Sequence, residues 1–165
     1  MTKAELLTEN LKLRLQTLEQ VLASIEAMSA SDRAEVSPEW LARVSASTSA
    51  DPWLHGFAMV HRATGAVIGS CGYKSPPGPD AVVEIAYGVD PAFQGRGYAT
   101  EATRALVAFA FGSGRVSLVC AHTRPAESAS TRVLTKCSFK RVGEVVDPED
   151  GLVWRWELRP SNAEL

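Results

Sequence analysis

Hydrophobic residues recur along the chain with two different periods, and each period marks out its own elements. Leu11, Leu13 and Leu15 alternate with Lys12 and Arg14, the spacing of a half-buried strand. Leu18, Val21, Leu22, Ile25 and Met28 recur at three and four residues, which predicts a helix with one apolar stripe, capped by Thr17. Residues 29–35 are polar and read as a loop. A second helix begins at Ser37-Pro38, where proline suits the first helical position, and carries Trp40, Leu41 and Val44. Residues 45–52 are small and polar and read as a mobile connection.

Strand patterns follow at 56–61 and 66–73, joined by a turn at 62–65 as a hairpin. The prolines Pro76, Pro77 and Pro79 exclude helix or central strand there. Residues 81–89 are apolar and β-prone, and Asp90-Pro91 ends them. A helical stripe of Ala99, Ala102, Leu106, Phe109 and Ala110 spans 99–111 and stops at Gly112 and Gly114. A strand at 116–122, a helix at 128–137, and strands at 140–146 and 152–158 about the turn 147–151 complete the pattern. Strands interleaved with helices in this order predict one α/β domain, a mixed sheet covered by helices on both faces, with residues 1–10 a loose lead-in.

Composition narrows the classes. At 165 residues the chain suits one domain with a sizeable core. A net charge of −2 argues against a nucleic-acid partner held through phosphates. No apolar run nears the ~20 residues that span a bilayer, and no signal peptide precedes the first strand, so no membrane is expected. Cys71, Cys120 and Cys137 form neither a metal-ligand spacing nor a disulfide framework. These features point to a reducing cytoplasm and to no metal.

The stretch Gln94-Gly95-Arg96-Gly97-Tyr98-Ala99-Thr100 joins the strand ending at 89 to the helix that follows. A helix N-terminus offers unpaired N–H groups and the positive end of the macrodipole, and glycines keep the approach clear, so phosphate is the natural guest. The spacing is neither Gly-x-Gly-x-x-Gly nor Gly-x-x-x-x-Gly-Lys-Ser/Thr. It fits Gln/Arg-x-x-Gly-x-Gly/Ala through Gln94, Gly97 and Ala99, and so resembles the pyrophosphate loop of the GNAT superfamily of acyl-CoA-dependent N-acyltransferases. The wider run from Tyr87 to Ala102 looks most like the RimJ/RimL-type branch. Ser130, Arg132-Val133-Leu134, Lys136 and Phe139 match that branch's Asn-x-x-Ser-x-Arg-Val-Leu-x-Lys-x-Gly-Phe, while Glu127 and Ser138 replace its Asn and Gly. Ser138 therefore stands where a left-handed helix cap is expected.

The resemblance implies a single GNAT-like domain over 1–165, with a mostly antiparallel mixed sheet of about seven strands flanked by about four helices. It implies acetyl-CoA as co-substrate, bound by residues 94–100, by the backbone N–H of Val89 and near Glu127. Departure of the thiolate falls to Ser130, because Leu134 occupies the place of the family's more widespread tyrosine acid. Glu84, a charge in the middle of an apolar strand, is the candidate base, directly or through water; the alternative is a side chain in solvent. Glu127 could face a cationic acceptor instead of the pantetheine. Trp40, Trp53 and His55 are candidates for the acceptor pocket; alternatively they are core. His61 and His122 read as structural or exposed. The expected reaction is direct acetyl transfer to a primary amine, a small molecule or peptide N-terminus, by a monomer or homodimer. The rival is a non-catalytic acyl-CoA-binding sensor or assembly module.

Overall fold

The structure, a computed structural model, describes residues 5–148 and 150–160. Its centre is one sheet of eight strands in the order β1-β2-β3-β4-β5-β6-β8-β7. The first five are β1 (Glu5–Leu7), β2 (Leu11–Leu15), β3 (Phe57–His61), β4 (Val67–Tyr73) and β5 (Val82–Val89). The last three are β6 (Leu118–Thr123), β7 (Lys140–Asp147) and β8 (Gly151–Leu158). Every neighbouring pair is antiparallel except β5 and β6. The helices are α1 (Leu18–Glu26), α2 (Ala30–Ala34), α3 (Pro38–Ser45), α4 (Tyr98–Gly112) and α5 (Ala129–Lys136), with a 3₁₀ turn at Pro91–Phe93.

Local signals set the helix ends. Thr17 accepts from the N–H of Gln20, whose side chain returns the bond in a capping box. Ser37 accepts from Trp40 N–H with Pro38 behind it. Ser138 has a φ of 71°, the left-handed conformation expected after α5.

The core lies between the sheet and the pair α4 and α5. Ala102, Leu106 and Ala110, four residues apart on α4, are fully buried against Leu13, Met59, Ile68, Val83 and Ile85 of the sheet. Leu134 of α5 and Phe139 close one end. Replacing a side chain such as Leu106 by Ala costs about 2–5 kcal/mol at sites of this kind. By contrast, α1 and α3 each bury a single residue, Val21 and Val44.

Two elements exceed the pattern read from the sequence. Glu5–Leu7, inside the expected lead-in, pairs with β2 as an edge strand; residues 1–4 lie outside the described residues. Three residues are too few to display an alternation. The expected polar loop contains α2, capped by Ser29 and tied back by Arg33 to the carbonyls of Ile25, Glu26 and Met28. It buries nothing, so no hydrophobic period marks it. The described fold thus has eight strands and five α-helices rather than seven and four.

One irregularity of the sheet positions the candidate site. The parallel pairing of β5 and β6 covers only Val82↔Leu118, Val83↔Val119 and Glu84↔Cys120. Both strands continue, β5 to Val89 and β6 to Thr123, but apart. The sheet opens just past Glu84.

Candidate active site

The glycine loop follows β5 and is tied to its last residue, Val89. Gly95 and Gly97 have φ of 78° and 84°. A β-carbon built on either meets nothing within 4 Å, so the space above the loop is clear. Gly97 is the N-cap of α4 and provides no side-chain cap, which leaves the first-turn N–H groups of the helix without that partner. Gln94 Nε2 donates to Val89 O at 2.8 Å and so ties the loop to the end of β5. Tyr98 joins the start of α4 to β3 through a 3.1 Å contact between its hydroxyl and His61 Nε2. Arg96 stacks over Phe93 with 5.7 Å to the ring centroid. A cleft of about 520 Å³ adjoins the loop, with Gly97, Thr100, Arg104 and Lys136 in its wall together with the acids Glu9 and Glu101. The open cradle and the helix N-terminus fit a phosphate-bearing group.

The opening itself has a donor on one side and a helix start on the other. Lys74 N–H donates to Glu84 O, and Asp90 N–H donates to Ile68 O. Even-numbered positions of β5 therefore turn their backbone groups to β4, and the alternation aims the N–H of Val89 into the opening. Across it, α5 begins with a capping box between Ser128 and Thr131. That cap is complete without Ser130, which stands half-buried in the first turn. Tyr87 O–H donates to Ser130 O at 3.3 Å and bridges β5 to α5. Burial pushes the Tyr87 phenol up to about 12, partly offset by its bond to Ser130. Glu127 Oε2 accepts from Thr131 Oγ1 at 3.0 Å, an anion at the positive end of α5.

Glu84 sits where the strands part. Val83 and Ile85 belong to the core, so alternation sends Glu84 to the opposite face of the sheet. Two donors meet on one of its oxygens: Lys74 Nζ and His122 Nδ1 each lie 2.9 Å from Oε2. All three side chains retain solvent access, at 51% for Lys74, 23% for Glu84 and 17% for His122. For Lys74, burial pulls the ammonium down, but the hydrogen bond and charge of Glu84 outweigh it, with Asp150 and Asp147 adding to the upward shift. On β8 the same face carries Arg155, opposite His122, and Glu157, opposite Cys120; these two pair with each other at 2.8 Å. Burial pushes the Cys120 thiol up to about 11, with Arg155 opposing and Glu84 and Glu157 reinforcing the shift.

The structure thus brings Glu84, Val89, Ser130 and the 94–100 loop to one opening. It places the aromatic candidates elsewhere. Trp53 is buried on the α4 side, 4.7 Å from the ring of Tyr73 and 5.3 Å from that of Phe109. His55 is buried, its Nδ1 accepting from Asp51 N–H at 2.9 Å and its Nε2 facing Ser47 Oγ at 3.0 Å. Trp40 Nε1 donates to Leu54 O at 2.8 Å. Each is held by internal partners. Sequence reasoning missed Lys74 and His122. Neither lies in a motif, and both are brought to Glu84 by strand pairing alone.

Comparisons with known proteins bear on the whole arrangement. The family model described as "Acetyltransferase (GNAT) domain" matches residues 12–140. The chain is similar to an uncharacterized N-acetyltransferase p20 of Bacillus licheniformis, 29% identical over 93 residues, which are 56% of this chain and 52% of that protein. It therefore spans about half the length of the curated relative it matches. Among solved structures, it resembles the ribosomal-protein-S5-alanine acetyltransferase of Vibrio fischeri with a TM-score of 0.72, 16% identity and coverage of 99% and 100% of the two chains. It also resembles AAC(6')-Ib, solved with ribostamycin and coenzyme A, with a TM-score of 0.71, 21% identity and coverage of 93% and 96%. At these identities the structural likeness carries the fold.

Proposed function

Since the chain belongs to the acetyltransferase (GNAT) family, we propose that it moves an acetyl group from acetyl-CoA to a primary amine, either a small molecule or a peptide N-terminus, in one ternary complex. The observation that carries this reading is the juxtaposition at the opening between β5 and β6. An open glycine cradle lies at one end of β5, and an acid with two basic partners faces the opening at Glu84.

Acetyl-CoA, when bound, supplies an activated thioester. The backbone around Gly95 and Gly97 and the start of α4 would hold its pyrophosphate. The Val89 N–H would donate to the thioester carbonyl and stabilise charge developing there. The Ser130 hydroxyl, which the α5 cap does not need, would donate to the departing sulfur. The Glu84 carboxylate would hold a cationic acceptor and promote loss of its proton. No side chain is needed as an acyl carrier. The nearest thiol, Cys120, has its pKa pushed up to about 11 by burial, so it stays protonated at neutral pH. A reducing cytoplasm suits the three unpaired cysteines.

The test is release of free thiol from acetyl-CoA over a panel of small amines and short peptides with free N-termini. The expected result is release that depends on the amine. Tight acetyl-CoA binding with no release for any amine would favour the acyl-CoA-binding module instead.

A further inference from the structure

Glu84 is poorly placed to act as a base by itself. Its Oε2 already accepts from Lys74 and His122, each at 2.9 Å, so that oxygen is engaged by two donors before any amine arrives. His122 is different. With Nδ1 donating to a carboxylate, the neutral ring carries its lone pair on Nε2. Among the described residues Nε2 has no protein partner. Imidazole is also the side chain whose ordinary titration falls nearest neutral pH, the condition an efficient base requires.

The place fits the task. Glu84 pairs in register with Cys120, so His122, two residues further along β6, lies on the same face just past the point where the strands part. Val89 aims its N–H into the same opening from β5. The charged neighbours leave the pair intact. Arg155, opposite His122 on β8, is engaged by Glu157 on its own strand, and Cys120 is a neutral thiol. Asp147 and Asp150 act on Lys74 through their charge.

We propose that His122 takes the proton from the acceptor amine at Nε2, while Glu84 fixes the ring through Nδ1–H and Lys74 holds the Glu84 carboxyl group in place. This rests on the amine-acetylation reading and specifies its proton path. The ammonium gives one proton to Nε2. The freed nitrogen lone pair forms the C–N bond at the thioester carbonyl, and the C–S bond breaks with its electron pair remaining on sulfur. A second proton from that nitrogen ends on the sulfur by way of Ser130. His122 then releases its proton to water, so one proton leaves per turnover. Glu84 and Lys74 act as positioning residues.

Two readouts test this. First, kcat is measured against pH for wild type, His122→Gln and Glu84→Gln, with the acetyl-CoA dissociation constant and melting temperature as controls. His122→Gln should lose ~10²–10⁴-fold in kcat, the usual contribution of a general base. It should also lose the acidic limb of the profile while keeping acetyl-CoA binding. Second, nitrogen NMR of the imidazoles should show the Nδ1–H tautomer for His122 in wild type and its loss in Glu84→Gln. An Nε2–H tautomer in wild type overturns the proposal whatever the activity. So does an unchanged profile in His122→Gln beside a collapsed one in Glu84→Gln, which leaves the acetylation reading standing with Glu84 as the direct base. If wild type acetylates no amine, the acetylation reading fails and this proposal with it.

Discussion

The hydroxyl of Tyr87 donates to the backbone carbonyl of Ser130, 43 residues further along the chain, and is the hydrogen bond that joins β5 to the first turn of α5 across the open part of the sheet. It sets the separation between the strand that carries Val89 and the helix that carries the Ser130 hydroxyl. Tyr87→Phe removes the donor and leaves the ring. We expect a stability loss of about 0.5–1.5 kcal/mol, the usual range for one hydrogen bond, and a raised KM for acetyl-CoA. Ser130→Ala leaves the same bond in place, because the acceptor is backbone. Its melting temperature should match wild type while kcat falls more than KM rises. Thermal melts and steady-state kinetics on both proteins check the pair; an unchanged kcat in Ser130→Ala would reduce that hydroxyl to a surface group.

At a φ of 84°, Gly97 is in the left-handed region, where an L-residue costs roughly 1–2 kcal/mol. Its β-carbon would enter the clear space above the loop. Gly97→Ala should therefore stay folded, with a lower melting temperature, and lose most of the stabilisation that acetyl-CoA confers on wild type by mass action. A full ligand-induced shift in the variant would place the phosphates elsewhere.

Much of this was legible in the sequence. The β2 alternation, the caps at Thr17 and Ser37, the left-handed Ser138 and the glycine loop are all local, and local chemistry sets them. What was not legible depends on pairing between distant segments. His122 meets Glu84 only because β5 and β6 run parallel for three residues and then part, a register that no residue near His122 encodes. Lys74 reaches Glu84 through the β4–β5 pairing in the same way. The pattern of aromatic residues misleads for the converse reason. Trp53 and His55 look like pocket residues beside a polar stretch, but the fold uses one to fill the core over α4 and the other to brace the 47–55 segment.

A pH dependence follows from Glu101. This residue anchors the β1–β2 connection to α4, accepting from Thr8 Oγ1, from Asn10 N–H at 2.6 Å and from Asn10 Nδ2 at 3.1 Å. Burial alone would raise its pKa, but the hydrogen bonds from Thr8, Asn10 and Leu11 outweigh that and hold it below the ordinary carboxylate value. A depressed folded pKa means the stabilisation is complete above the unfolded value, near ~4.3. It is lost as pH falls through the folded value. The melting temperature of wild type should therefore exceed that of Glu101→Gln at neutral pH, with the gap closing in acid. A gap that stays constant down to acid pH would contradict the assignment.

Direct transfer predicts silent thiols. Burial pushes Cys71 up to about 12 and Cys120 up to about 11, and raises Cys137 as well. The folded protein should react slowly with iodoacetamide at neutral pH and quickly once denatured. Incubation with acetyl-CoA alone should leave its intact mass unchanged. An acetyl adduct on Cys120 would replace direct transfer with a covalent route.

The central claim is that the acid at the parting of β5 and β6, through the His122 ring it orients, promotes proton loss from an amine. Glu84→Gln preserves shape and removes the charge. The decisive measurement is kcat against pH for wild type and Glu84→Gln with the same amine, alongside the acetyl-CoA dissociation constant. The account predicts a fall of ~10²–10⁴-fold at neutral pH that narrows as pH approaches the alkylammonium pKa, ~10.4 for a lysine-like amine, with acetyl-CoA binding intact. Superimposable kcat profiles for the two proteins would contradict it.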